Sequence, residues 1–319
     1  MLQNKKIKVL FVSSWYPNKV QPTSGNFVQK HVRSVALFAD VIVLHVRFDN
    51  TLKKNKIVWI NNTSIKTLYI YCKKSFNPIS NFFKYLNAYR KGLKILIRQY
   101  GMIDIIHANV LIPVGLIFYF SGAYKKIPYV VTEHWSGYFP DDRINHAKIN
   151  CVIRYFIKKI IRKAAFILPV SADLCKAMKN QQLKGNYRVI PNVVDVNIFK
   201  HSPIITTRKK IKFLHVSSLN DAEKNISGII RTVHQLTLLR DDFEFHIIHD
   251  GIAAPFINMA DRLKILNHTL FFSSEKSSEE VACAMQNSDC LVMFSNFESF
   301  SVVIAESLAC GLPVIATKA

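Results

Sequence analysis

Short apolar runs with almost no polar interruption recur along this chain. They constrain its fold more than any other feature. The first, 7–13, is apolar on both of its alternating faces, as in a parallel strand covered on both sides. Similar runs end near residues 46, 72, 107, 132 and 170, and again near 216, 248, 272, 294 and 316. Between them lie segments with helical spacing, at about 26–39, 82–100, 111–122 and 150–164, then 225–239, 253–265 and 278–286. Alternation of that kind predicts doubly wound α/β architecture. Residues 196–210 break the alternation around Pro203, so we expect domains at 1–195 and 211–319 with a linker between them. A chain of 319 residues also exceeds what one core usually serves.

The composition narrows the partners. With 43 Lys and Arg against 21 Asp and Glu, the formal charge is +22, a field that attracts nucleic acid, anionic membrane or phosphorylated substrates. No nucleic-acid recognition module accompanies that charge. Six scattered cysteines with no Cys-x-x-Cys pair point to buried thiols in a reducing compartment, not to a zinc site. The apolar stretch 110–123 is too short for a bilayer and contains Pro113. The final strand, near 313–316, lacks the helix that should cover it, so we expect further residues beyond 319.

Ligands of open parallel sheets bind beyond the carboxyl ends of the strands. The polar residues expected there are Ser13, Ser14, Gly25, His107, His134, Ser171, Asn192, Ser217, Ser218, Lys224, Asp250, Gly251 and Glu298. Such a set, spread over two domains, suggests a cleft lined from both sides. Gly25 opens a helix, where backbone N–H groups receive a phosphate, though a glycine there also simply eases a turn. His134 follows Glu133 at a strand end and could donate to a hydroxyl or a phosphate. His107 reads better as a cross-strand hydrogen bond that shapes the pocket. Lys224 opens a helix and suits a diphosphate.

The stretch 297–311 is the most informative. Its apolar helix holds Glu306, which is costly there unless paired or bound to a ligand. Glu298 stands eight residues earlier, and Ser299 and Ser301 offer donors at the helix start. Two carboxylates for hydroxyls, with phosphate donors between them, match the layout of a sugar nucleotide. They need not form the close pair of a glycoside hydrolase.

Glu298-x7-Glu306, within ESFSVVIAESLACGLPVIAT, resembles the signature of family 4 retaining glycosyltransferases of the GT-B fold. The TEH segment at 132–134, VS at 170–171, IPNVVD at 190–195 and a strand-loop-lysine segment at 216–224 fit in the same order. The resemblance implies two Rossmann-like doubly wound domains facing a cleft. The activity it implies is retaining transfer of a hexose-type sugar from a nucleotide diphosphate sugar to a glycan or lipid-linked acceptor. By the same carry-over Glu298 contacts donor-sugar hydroxyls and Glu306 the ribose. The backbone at Phe300, Ser301 and Val302, with Lys224, binds the diphosphate, Gly25 brings backbone N–H groups to the same phosphates or to the acceptor, and His134 stands near the donor sugar and the reacting centre. No metal or other cofactor is implied.

Ser218 departs from the family pattern by occupying the place of an arginine, and the loop to Lys224 is one residue longer. A non-catalytic sugar-nucleotide-binding subunit and a nucleotide-sugar epimerase of the same fold remain the alternatives. The basic helices 82–100 and 150–164 suggest a cytoplasmic enzyme held peripherally at an anionic membrane surface.

Overall fold

A computed structural model describes residues 6–62, 65–122, 126–140, 146–202 and 210–318. The chain forms two compact units, Met1–Val193 and Val194–Ala319.

The first unit opens with β1 (Lys8–Ser13), α1 (Asn26–Ala36) and β2 (Asp40–Phe48), followed by β3 (Lys56–Asn62) and β4 (Ile65–Cys72). Next come α2 (Pro78–Tyr100), β5 (Ile105–Asn109), a π-turn at Leu111–Gly115 and α3 (Leu116–Ser121). It closes with β6 (Tyr129–Glu133), α4 (Cys151–Lys163), β7 (Phe166–Pro169) and α5 (Ala172–Asn180). Its sheet runs β3-β4-β2-β1-β5-β6-β7, parallel except for β3. Both faces are covered, which explains the unbroken apolar runs. Val9, Phe11, Val41 and Val43 pack under Val28 and Val32 of α1. On α2, Gly92 stands where a Cβ would lie 2.5 Å from Leu44, so helix and β2 pack close.

Local signals set several helix ends. The Asn77 side chain accepts the N–H groups of Ile79 and Ser80, and Pro78 starts α2 with the φ that a first turn needs. Asn150 accepts the N–H of Val152 at the start of α4, and Ser171 that of Leu174 in α5.

The second unit has β8 (Ile211–Ser217), α6 (Asp221–Lys224), α7 (Ile226–Thr237), β9 (Phe243–His249), α8 (Ala254–Arg262) and β10 (Leu270–Ser273). It ends with α9 (Ser278–Gln286), β11 (Cys290–Met293), α10 (Val302–Ala309) and β12 (Val314–Ala316). The five strands are parallel in the order β10-β9-β8-β11-β12.

Three expectations shift. The strand β3 was not anticipated; it is an antiparallel edge whose Ile57 and Ile60 stay partly exposed, so its sequence lacks clean alternation. The expected helix 111–122 is a π-turn followed by the short α3. Residues 188–190 run along the β7 edge, where the N–H groups of Arg188 and Ile190 donate to the carbonyls of Ile167 and Pro169. Within the segment expected as linker, Phe199 is 1% exposed in the second unit's core, while 203–209 lie outside the described residues.

Candidate functional site

In each unit the connections reverse direction at one place in the sheet, and that is where ligands bind in such folds. In the first unit the reversal falls between β1 and β5, whose last residues, Ser13 and Asn109, are register partners. In the second it falls between β8 and β11.

Beyond β1, Gly25 adopts φ +72 at the start of α1. A Cβ there would lie 2.3 Å from the Trp15 carbonyl carbon and oxygen, so only glycine lets this loop close on itself. No side chain caps the first turn of α1. Ser14 and Asn109, both buried at this edge, have side-chain polar atoms without a hydrogen-bond partner among the described residues. Asn109 escaped the sequence reading; its only signal is an amide that ends an apolar strand.

His134 is 7% exposed, and neither ring nitrogen has a hydrogen-bond partner among the described residues. Phe27 packs on the ring at 4.6 Å between centroids, and His31 meets it edge-on at 5.7 Å. Burial pushes its pKa well below the usual imidazole range; His31 and His107 push the same way, and nearby Asn192 opposes them. The imidazole is therefore neutral, with one nitrogen able to donate and the other to accept.

His31 Nε2 donates to Asn192 Oδ1 at 2.9 Å, which gives that asparagine a partner. His107 Nε2 and the Thr132 hydroxyl share a 2.6 Å hydrogen bond across β5 and β6, and burial pulls its pKa down to about 3. Ser171 is the cap of α5.

What holds His134 in place is Glu133, fully buried at the end of β6. Its Oε1 accepts the N–H groups of His134 and Trp135 at 2.9 and 3.0 Å. Its Oε2 accepts the Leu111 N–H at 3.0 Å and the Tyr138 hydroxyl at 3.1 Å. Burial pushes this carboxyl's pKa up and the four donors pull it down. Sequence reasoning passed over Glu133 because three of its four partners are backbone groups.

In the second unit the loops after β8 and β11 are joined. Lys224 Nζ donates to Glu298 Oε1 at 2.5 Å, and Ser295 Oγ donates to the same oxygen at 2.9 Å. Lys224 and Glu298 side chains are 17% and 18% exposed, and Oε2 of Glu298 has no hydrogen-bond partner among the described residues. The Asn296 N–H donates to the Glu223 carbonyl at 2.7 Å, a second stitch between the loops. These links span more than seventy residues, so the sequence showed each group but not their pairing.

Phe300, Ser301 and Val302 are half-buried at the start of α10, whose N-cap residue Ser301 makes no side-chain capping bond. Glu306 is buried at 5% exposure on that helix. Ser218 is exposed, and its carbonyl oxygen lies 2.0 Å from where a Cβ on Gly251 would stand. Gly251 thus serves a close approach of two backbones. Behind this loop, His215 Nδ1 donates to the Val292 carbonyl at 2.8 Å, which leaves Nε2 to accept from the Ser217 hydroxyl at 2.8 Å. Among the described residues no group of three or more His, Cys, Asp or Glu side chains is placed to hold a metal ion.

The family described as "Glycosyltransferase Family 4" matches residues 35–198, and "Glycosyl transferases group 1" matches residues 197–319. An "Uncharacterized glycosyltransferase" of Methanocaldococcus jannaschii is 28% identical over 98% of this chain and 79% of its own length. The alpha-monoglucosyldiacylglycerol synthase of Streptococcus pneumoniae is 26% identical over 72% of this chain. That match takes in 55% of the synthase, so the chain corresponds to about half of this relative. Among solved structures, an Anabaena protein in complex with UDP and glucose superposes with TM-score 0.67. It is 16% identical, and the match covers 98% of this chain and 81% of that one.

Proposed function

This chain belongs to glycosyltransferase family 4, and we propose that it transfers a hexose-type sugar, with retention, from a nucleotide diphosphate sugar to a glycan or lipid-linked acceptor. The observation that carries the reading is the convergence of Lys224, Glu298 and the uncapped start of α10 beyond the β8–β11 reversal.

Each group suits one part of the donor. Glu298 Oε2 accepts from sugar hydroxyls. Lys224 and the N–H groups at 300–302 meet the diphosphate, where a cation and a helix start both favour negative charge. Glu306 accepts from the ribose. In the first unit, the neutral His134 imidazole serves as a hydrogen-bonding group toward a sugar hydroxyl, and the backbone N–H groups at the α1 start beside Gly25 donate to an anion. In the reaction the bond from the anomeric carbon to the diphosphate oxygen breaks. The acceptor oxygen bonds on the same face, and its proton passes to the departing phosphate. Charge on the leaving group is met by Lys224 and backbone N–H groups, with no metal ion in this scheme.

The acceptor side favours a membrane surface. Phe82 and Phe83 of α2, Tyr119 and Phe120 of α3, and Tyr155 and Phe156 of α4 form one chain of ring contacts, with centroids between 4.8 and 6.0 Å. Lys159 lies over Tyr155 at 4.5 Å and Lys163 over Tyr119 at 5.9 Å. Aromatic bodies mixed with cations suit a headgroup region. No described helix is long and apolar enough to cross a membrane.

The test is donor turnover by the native chain and by Glu298→Ala, with the product anomer read by NMR. Loss of one such contact should lower transfer by about 10²–10³. Donor binding without turnover, unchanged in the variant, would refute the reading. Salt-reversible binding to anionic but not neutral vesicles tests the membrane face.

A further inference from the structure

The first unit has a depression of about 680 Å³ at the carboxyl ends of β2 and β4, a volume suited to a small ligand. Its lining includes the polar residues Arg47, Asp49, Thr51 and Lys74 and the apolar residues Phe82 and Ile117.

The polar lining carries excess positive charge. Asp49 is already neutralised: Lys19 Nζ lies 2.6 Å from Oδ2, and the Thr51 hydroxyl and N–H donate to Oδ1 at 2.6 and 2.9 Å. Those donors hold its carboxyl down to about 2. Arg47 Nη2 donates at 2.6 Å to Gln21, which is uncharged. Lys74 is exposed, with no ion pair among the described residues. With Asp49 neutralised by Lys19 from outside the lining, the two lining cations, Arg47 and Lys74, have no carboxylate of their own among the described residues. Arg47 can present its fork to a phosphate, and Lys74 can add a point charge.

The apolar lining suits hydrocarbon. Phe82 belongs to the aromatic chain that links α2, α3 and α4. Close to it along the chain, Phe76, Ile79 and Phe83 stand exposed at 110%, 68% and 55%, and the Phe83 ring touches that of Phe82. Several exposed large apolar side chains on one short stretch are the kind that mark an interaction surface.

We propose that this depression binds the acceptor through a phosphate ester that carries an apolar chain. Arg47 and Lys74 hold the phosphate, and Phe82 with Ile117 receives the start of the chain. The inference rests on the transferase reading only in calling this ligand the acceptor. A free sugar phosphate would use the charged residues alone, and a neutral lipid the apolar residues alone.

The test is calorimetric titration of the full chain with dodecyl phosphate below its micelle concentration, against inorganic phosphate and dodecyl maltoside. Dodecyl phosphate should bind at least about tenfold tighter than either comparison probe. Arg47→Gln and Lys74→Gln should each weaken it about tenfold, the lower end for a charge-assisted bond. Phe82→Ser should weaken dodecyl phosphate and leave inorganic phosphate unchanged. Denaturation midpoints confirm that each variant is folded. Equal affinity for dodecyl maltoside would overturn the proposal, as would phosphate binding as tightly as its dodecyl ester, or variants that bind like the native chain. Nucleotide-sugar turnover by the native chain is scored separately. Its absence would refute the transferase reading and leave the phosphate site as measured; turnover without dodecyl phosphate binding would refute this site alone.

Discussion

Replacing Glu133 by glutamine tests whether one buried carboxylate holds His134 in place. The substitution keeps the shape and exchanges one acceptor oxygen for an NH₂ donor. If the amide oxygen keeps the N–H groups of His134 and Trp135, the new donor meets the Leu111 N–H, which cannot turn away. The Tyr138 hydroxyl can rotate and accept instead. One buried donor is therefore orphaned, at about 1–3 kcal/mol, and two remaining bonds lose charge assistance worth about 1 kcal/mol each. Relief of the carboxylate's desolvation offsets part of this, which leaves a loss of about 2–4 kcal/mol in the first unit. That corresponds to a fall of roughly 4–16 °C in Tm for a unit of this size. All three tryptophans, Trp15, Trp59 and Trp135, lie in the first unit, so intrinsic fluorescence during denaturation reports that unit selectively. A variant within about 0.5 kcal/mol of the native chain, the usual range of a neutral surface change, would refute the structural role assigned to Glu133.

Gly251→Ala should displace the loop at 217–224 and abolish donor binding while the tryptophan-reported midpoint stays fixed, because the new Cβ would sit 2.0 Å from the Ser218 oxygen; unaltered donor affinity would show that the loop yields freely. Acidification should destabilise the first unit. His45 and His107 are pulled from 6.5 down to about 4 and about 3, so below pH 6.5 the unfolded chain takes up protons that the native chain refuses. Between pH 7 and pH 5 each should cost about 2 kcal/mol, and denaturation midpoints that do not move with pH would contradict the assignment.

The two sheets were readable because both faces of the central strands are covered, which forces runs such as 41–46 to be apolar throughout. The boundaries of α9 follow from Ser277 and Glu280, which form a capping box. Glu306 stood out as a carboxylate in an apolar helix, and it is buried. What stayed hidden depends on distant partners or on backbone. The Lys224–Glu298 pair joins groups seventy-four residues apart, and β3 is defined by its pairing with β4 more than by its own alternation. The π-turn after β5 is closed by a carboxyl from the next strand, a partner that no local pattern announces.

That carboxyl makes one fixture of two parts of the first unit. Leu111, bound to Oε2 of Glu133, begins the turn that carries Pro113 to the wall of the depression, while Oε1 fixes the backbone of His134. Whatever rests against Pro113 is thus held at a set offset from the imidazole, by a reference internal to this unit. Changes in the lining at Arg47 or Lys74 can retune which molecule rests there without disturbing that offset, so ligand choice in the depression and the geometry of the imidazole are free to vary independently.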